Sequence, residues 1–198
     1  QNTMVGYRAG YSLTSGDSNT VMGRQAGLEI ETGHNNTLIG MNAGAGTVLG
    51  GYLVAIGNAA MGGDVVTANA DGTVAIGASA LTSLTSGANN LAVGYNALAM
   101  NTTGGHNLAI GDGVLQHCVD GGANIGIGAG ALDDWDVSGG LSTTVDGSAH
   151  NLMIGVDAGG GAWANVQSAY NVGIGNYVMD AVMNVAINNV GVGYEALG

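Results

Sequence analysis

The stretches NLAVGYNAL (residues 90–98) and NLAIGDGVL (residues 107–115) decide the fold, because they are two copies of one pattern lying 17 residues apart. The pattern has Asn at position one, Val or Ile at position four, Gly at position five and a small residue at position eight. Copies recur along the whole chain at spacings of 17, 17, 17, 20, 17, 17, 17, 27, 20 and 18 residues. The position-five glycines mark them: Gly6, Gly23, Gly40, Gly57, Gly77, Gly94, Gly111, Gly128, Gly155, Gly175 and Gly193.

Self-similarity at a fixed period is the sequence signature of a solenoid. We predict an all-β fold in which 1–198 form one repetitive domain, a parallel β-roll of about eleven coils of ~17 residues. Each coil is expected to hold two short strands and two turns, and a strand spacing of about 4.8 Å makes the rod roughly 50 Å long. A helical fold is rejected because each interior glycine would cost about 1 kcal/mol. Neither end has the polar cap that repeat arrays need, so we expect an internal segment of a longer fibrous protein.

Positions two to four of the pattern are predicted to form a strand, in which side chains alternate between two faces. Positions two and four are rich in Val, Ile, Leu and Thr, so we predict that they face the core. Position three, for example Ala92 and Ala109, is never charged and points the other way. A thin roll has one interior, so we predict that position three packs against another chain. Ala92→Glu or Ala109→Glu would then prevent assembly, because each buries an unpaired charge.

The remaining positions predict how each coil closes. Gly at position five allows a sharp bend or close backbone approach, and the small residue at position eight fits a narrow interior. Turn-rich strings such as TSGDSN (residues 14–19) and TTGGHN (residues 102–107) separate the copies. The recurring Asn is expected to stack into an amide ladder, with Leu53 and Thr73 as departures. The ladder residues are Asn19, Asn36, Asn90, Asn107, Asn124, Asn151 and Asn171.

Charge and composition exclude several classes of function. Fourteen acidic residues stand against Arg8 and Arg24, a net charge of −12, which disfavours binding to nucleic acid or anionic lipid. No apolar run reaches the roughly 18 residues of a membrane-spanning helix, so we expect no membrane insertion. Gly-rich strings lack the Lys-Ser/Thr of a phosphate loop, and there is no G-x-S-x-G motif. We therefore predict neither an enzyme nor a bound cofactor.

These strings, including NTLIGMNAG (residues 36–44) with TSG and TGG turns, resemble the repeats of phage and virus tail-fibre proteins. They are also similar to the head repeats of trimeric autotransporter adhesins. The resemblance covers the whole chain and implies a left-handed parallel β-roll wound with two identical chains into a homotrimer. It implies attachment to a host surface glycan or protein receptor, and an extracellular place on a virion tail fibre or a bacterial surface. The period of 17 favours the fibre version over the shorter adhesin repeat.

A few aromatic, histidine and acidic residues are candidates for binding or metal chemistry. Trp135 and Trp163 lie in or beside the two largest insertions and are the candidate receptor or partner contacts, although packing along the rod is the alternative. His106 and His150 each precede the pattern Asn, where three copies on a trimer axis would hold a metal; a solvated turn is favoured, and no metal site is predicted. The acidic insertion containing Asp133 lacks known calcium-loop spacing and is expected to be solvated.

Three functions therefore stay open. The first is a shaft or head segment of a trimeric fibre that mediates host attachment. The second is the head of a bacterial surface adhesin with the same fold. The third is the subunit of a self-assembling extracellular filament. An ice-binding role is disfavoured because Thr occurs at position two only in the first three coils.

Overall fold

The computed structural model describes residues 1–63, 65–133, 148–161, 168–181 and 186–198, and these form a β-solenoid. Its eleven strands make one parallel sheet in which neighbours in sequence are neighbours in space. The strands are β1 (Thr3–Val5), β2 (Thr20–Met22), β3 (Thr37–Ile39), β4 (Val54–Ile56), β5 (Val74–Ile76), β6 (Leu91–Val93), β7 (Leu108–Ile110), β8 (Ile125–Ile127), β9 (Leu152–Ile154), β10 (Val172–Ile174) and β11 (Val190–Val192). A 3₁₀ helix, Ala68–Ala70, lies in the fourth coil.

The strands pair strictly by repeat position, so that Ala92 of β6 lies beside Ala109 of β7. The predicted β-roll is therefore confirmed. The prediction of two strands per coil is wrong for the described residues, because each coil has a single three-residue strand. The opposite wall is built from turns whose backbones still bond from coil to coil: the Leu98 N–H donates to the Val114 carbonyl at 3.0 Å, and the Thr102 N–H to the Val119 carbonyl at 2.7 Å.

Left-handed backbone conformations explain why the opposite wall is not extended. Positions seven and nine have positive φ, as in Asn96 (54°) and Leu98 (53°), and so does the residue before each pattern Asn, as in His106 (62°). Such residues bend the chain and cannot continue a strand. None of the described positive-φ residues is Val, Ile or Thr, the types for which this conformation is most costly.

The interior of the roll is lined by position three, which corrects the predicted direction of the strands. Ala55, Ala75, Ala92 and Ala109 are all 0% exposed within a single chain. Positions two and four, which were predicted to be the core, lie on the outside. The physical reason is space: the bend at position five and the small residue at position eight leave a narrow interior, and bulky β-branched rows fit only on its outer surface.

Interior volume is conserved within each coil by positions three and nine. Where position three is large, position nine is Gly: a Cβ added at Gly44 would lie 2.7 Å from Leu38 Cδ2. Where position three is Ala or Gly, position nine is Leu or Met, and it is fully buried in coils such as those of Leu98 and Leu115. The last coil differs, because its Leu197 is 53% exposed. The large-to-Gly coils pair Met4 with Gly10, Val21 with Gly27, Leu38 with Gly44, and Met153 with Gly159. One large side chain per coil thus fills the core, since interiors tolerate neither voids nor overlap.

The predicted asparagine ladder is present, and the structure shows that its side chains are buried. The Asn107 backbone N–H donates to Asn90 Oδ1 at 2.9 Å, and Asn107 Nδ2 donates to the Gly121 carbonyl at 2.8 Å. Each side chain therefore bonds to the next coil and also closes its own. Thr73 partly replaces the amide, since its hydroxyl accepts from the Asn90 N–H at 3.3 Å and donates to the Gly87 carbonyl at 3.2 Å. Leu53 accepts nothing through its side chain, so the amide ladder is interrupted there.

Candidate interaction face

Positions two and four form two parallel rows on the outer side of the sheet, which we call the outer face. Its residues are half-buried or exposed although nearly all are aliphatic; Ile110 is 37% exposed and Ile174 is 41% exposed. None is charged, and the polar members are threonines of the first three strands. The outer face consists of Thr3, Val5, Thr20, Met22, Thr37, Ile39, Val54, Ile56, Val74, Ile76, Leu91, Val93, Leu108, Ile110, Ile125, Ile127, Leu152, Ile154, Val172, Ile174, Val190 and Val192.

The outer face is long and continuous, because all eleven strands pair in register. Ten strand spacings of about 4.8 Å and three residues of about 3.3 Å give roughly 50 Å by 10 Å, or about 500 Å² of sheet. Exposed rings at position six widen it, since Tyr7, Tyr95 and Tyr194 are 63%, 59% and 68% exposed. A contiguous apolar patch of this size is at the upper end of what monomers expose, which makes the outer face the candidate interaction surface.

The outward-facing row of the strand was predicted incorrectly from the sequence. Ala92 and Ala109 were predicted to contact a partner, and both lie inside the roll. The signal that would have prevented the error is the exchange of volume between positions three and nine. Residues that compensate for each other in size share one interior, so position three had to face inward.

Trp135 and Trp163, the predicted receptor contacts, lie outside the described residues. The described residues that flank their segments are Asp133 and Ser148 for the first, and Gly161 and Ser168 for the second. The carbonyls of both serines accept the amide of a ladder residue, Ser148 from Asn124 at 2.9 Å and Ser168 from Asn151 at 2.9 Å. The described residues that follow the two segments, Ser148 and Ser168, thus occupy the same repeat position, three residues before a ladder Asn.

The histidines do not converge. His106 and His150 occupy the same exposed turn position, as predicted, and His150 stacks on Tyr170 with ring centroids 5.1 Å apart. His34 instead meets Tyr52 edge to face at 5.4 Å. Across the described part of the chain, no group of three or more His, Cys, Asp or Glu side chains is placed to hold a metal ion.

Cys118 and His117 are neighbours with separate environments. The thiol is buried and lies 3.7 Å from the Gly121 carbonyl, and burial raises the pKa of Cys118 to about 12. His117 Nδ1 lies 2.8 Å from the Asp133 carbonyl oxygen and 3.2 Å from Asp133 Oδ1. A thiol with this pKa is a poor nucleophile at neutral pH, because the thiolate is the reactive form.

Comparisons with known proteins do not suggest a function for this chain. No family model, no curated protein and no solved structure matches this chain. A search of the described residues also finds no helix with the length and apolar character to cross a bilayer. The rigid roll and its outer face are therefore the features on which a functional hypothesis must rest.

Proposed function

We propose that this chain is a structural segment of a trimeric attachment fibre, in which three identical rolls pack through their outer faces. The fibre would serve to hold or present an attachment site at a cell surface, as the resemblance to tail-fibre and adhesin repeats implies. The observation that carries the proposal is the uncharged apolar outer face, which runs the length of the described roll.

Burial of the outer face would release a large hydrophobic driving force. About 500 Å² of apolar surface per chain, at roughly 25 cal/mol per Å², amounts to about 12 kcal/mol of gross stabilisation before the cost of association. Closed rotational symmetry around an axis is the usual form for assemblies of identical chains. Three rolls around one axis cover three outer faces at once and leave no edge for further growth at the sides.

The roll itself is suited to a mechanical role. Backbone hydrogen bonds join each coil to the next on the strand side, as from the Leu91 N–H to the Asn107 carbonyl at 2.8 Å. The buried amide ladder joins the same coils at the corner. Since each coil contacts mainly its neighbours, the length of the rod follows the number of repeats, which is what a spacer requires.

Small-angle X-ray scattering on the 198-residue chain tests this function. We expect a particle about 50 Å long with the cross-section of three rolls, and a length that does not change with protein concentration. Rods that lengthen with concentration would support the filament instead. A single-roll cross-section at all concentrations would overturn the trimeric fibre.

The attachment role has its own test. The labelled chain is applied to a panel of cell surfaces and immobilised glycans, alongside the outer-face variant Ile110→Glu. The proposal expects a surface that retains the wild-type chain and not the monomeric variant. Retention of both to the same extent would separate attachment from trimer formation and contradict the proposal.

A further inference from the structure

A cleft on the side of the last two coils has a composition unlike the rest of the rod. Tyr177 follows β10 and Tyr194 follows β11, and their rings meet edge to face with centroids 5.8 Å apart and an interplanar angle of 78°. The cleft beside them has a volume of about 460 Å³, and its lining residues are Tyr177, Asp180, Ala181, Tyr194, Glu195 and Gly198. Two aromatic walls therefore stand beside two carboxylates.

This chain carries no Lys or Arg close to the Glu195 carboxylate. Its only two basic residues, Arg8 and Arg24, belong to the first two coils. Arg24 follows β2, and eight strand spacings of about 4.8 Å separate β2 from β10, a distance of roughly 40 Å. That distance is several times the Debye length of about 8 Å at physiological ionic strength. Glu195 also acts locally: its hydrogen bond with Tyr194, and then its negative charge, raise the pKa of the Tyr194 hydroxyl.

The opposite end of the rod shows what tyrosines at this corner do when a cation is available. The Arg8 guanidinium lies 5.4 Å from the Tyr7 ring centroid and 5.3 Å from the Tyr11 ring centroid. Tyr7 and Tyr194 occupy the same repeat position, six, in the first and the last coil. The first coil thus supplies its own cation, whereas the last coil has Glu195 where the first has Arg8.

We propose that the cleft between Tyr177 and Tyr194 binds an organic ammonium group, such as the trimethylammonium group of a choline-bearing molecule. Ring faces attract a cation within about 6 Å of the centroid, and the attraction grows when the site excludes water. The Glu195 carboxylate adds Coulomb attraction from one side. A calcium ion suits the cleft poorly, since it requires six to eight oxygen ligands.

This inference is independent of the trimeric fibre and would add a recognition site on the flank of the rod. Tyr194 is 68% exposed, so its ring is available without any unfolding of the roll. A ligand displayed on a cell surface or a polymer could enter from the side.

The test is a titration of the 198-residue chain labelled with 3-fluorotyrosine, followed by ¹⁹F NMR. The probes are choline, its uncharged carbon isostere 3,3-dimethylbutan-1-ol, and methyl glucoside. We expect choline to shift the resonances of Tyr177 and Tyr194 and to bind at least about fivefold more tightly than the isostere, the ratio expected for a cation–π site. Equal affinity for choline and the isostere, or tighter binding of methyl glucoside, would overturn the proposal.

Variants locate the site. Tyr194→Leu and Glu195→Gln should each weaken choline binding by about threefold to thirtyfold. Tyr95→Leu is the matched control, because Tyr95 also occupies position six and is 59% exposed, but its neighbour in the preceding coil at position seven is Ser79. A loss of affinity in Tyr95→Leu as large as that in Tyr194→Leu would contradict the assignment. All three variants alter exposed side chains. An unchanged thermal unfolding temperature therefore confirms that any loss of affinity reflects binding.

Discussion

On one side of the eleven-stranded sheet the residues are small and buried, whereas on the other side they are bulky and partly exposed. Inside the roll, position three is mostly Ala or Gly, and Ala92 and Ala109 are 0% exposed. Outside, positions two and four are bulky and aliphatic, and Ile110 is 37% exposed. A globular domain would normally place the larger apolar residues within. The inversion teaches that the strand directs its small residues inward, where the large residue of position nine completes the packing, and its bulky residues outward.

The largest expected effect comes from placing a charge on each side of the sheet in turn. Ala109→Glu buries a carboxylate in the narrow interior, and we expect loss of the native fold. Ile110→Glu, one residue further along, places the same charge on the outer face. It should leave a folded roll that no longer forms oligomers. Circular dichroism measures the fold of both variants, and light scattering measures their assembly. A folded Ala109→Glu variant would contradict the assignment of position three to the interior.

The next largest effect on stability is expected where the glycine backbones of adjacent coils are in close contact. Gly94 has φ of 145°, and a Cβ at that residue would collide with the Gly111 carbonyl of the next coil. We expect Gly94→Ala to cost at least about 4 kcal/mol, or to prevent folding. Gly113→Ala is the control: φ is 65° and the nearest atom lies 3.5 Å away, so only about 1 kcal/mol of backbone strain should appear. Similar unfolding midpoints in urea would argue against this packing.

The amide ladder should contribute less than the glycine contact but more than the surface threonines. Asn107→Leu, which copies the natural residue at Leu53, removes the acceptor for the Asn124 N–H and the donor to the Gly121 carbonyl. We expect a loss of about 2–4 kcal/mol in urea unfolding, since two buried groups lose their partners. Thr102→Val, which removes the part-buried bond to the Val119 carbonyl, should cost less than about 1.5 kcal/mol. A reversed order would refute the ladder's role.

A double-mutant cycle tests whether the side chains of positions three and nine share one space inside the roll. Leu38→Ala leaves a cavity, and Gly44→Leu drives a side chain into Leu38; each alone should destabilise the roll by about 2–4 kcal/mol. The double variant converts the third coil to the Ala-with-Leu arrangement of the sixth. We expect it to be more stable than the sum of the singles by about 1–3 kcal/mol. Strict additivity in chemical denaturation would show that positions three and nine do not share one space.

The smallest expected effect concerns Cys118. Burial raises the pKa of its thiol from 9.0 to about 12, so the folded roll retains the proton where the unfolded chain releases it. Stability from this group is therefore fully present below pH 9 and declines as pH rises from about 9 toward 12. At pH 8 the folded chain should react with a thiol reagent at least about a hundredfold more slowly than the chain in denaturant. Equal rates would place Cys118 at the surface.

Much of this architecture follows from sequence because the period alone decides it. The spacing of the position-five glycines gives the coil count, and the recurring Asn gives the buried ladder. The direction of the strand could not be read from alternation, since position three of β6 is Ala92 and its neighbours are Leu91 and Val93, all apolar. The second predicted strand failed because positive φ at residues such as Leu98 is imposed by the roll rather than by an intrinsic preference. The cleft at Tyr177 and Tyr194 depends on contact between two coils, which the sequence does not display.

Molar mass in solution, measured by light scattering on the unmodified 198-residue chain across a range of concentrations, tests the central claim most directly. If the outer face packs three rolls together, the mass is three times the 19.3 kDa of the chain and stays constant on dilution. A constant mass of 19.3 kDa would contradict the account, because the bulky aliphatic rows would then be stable in water without a partner.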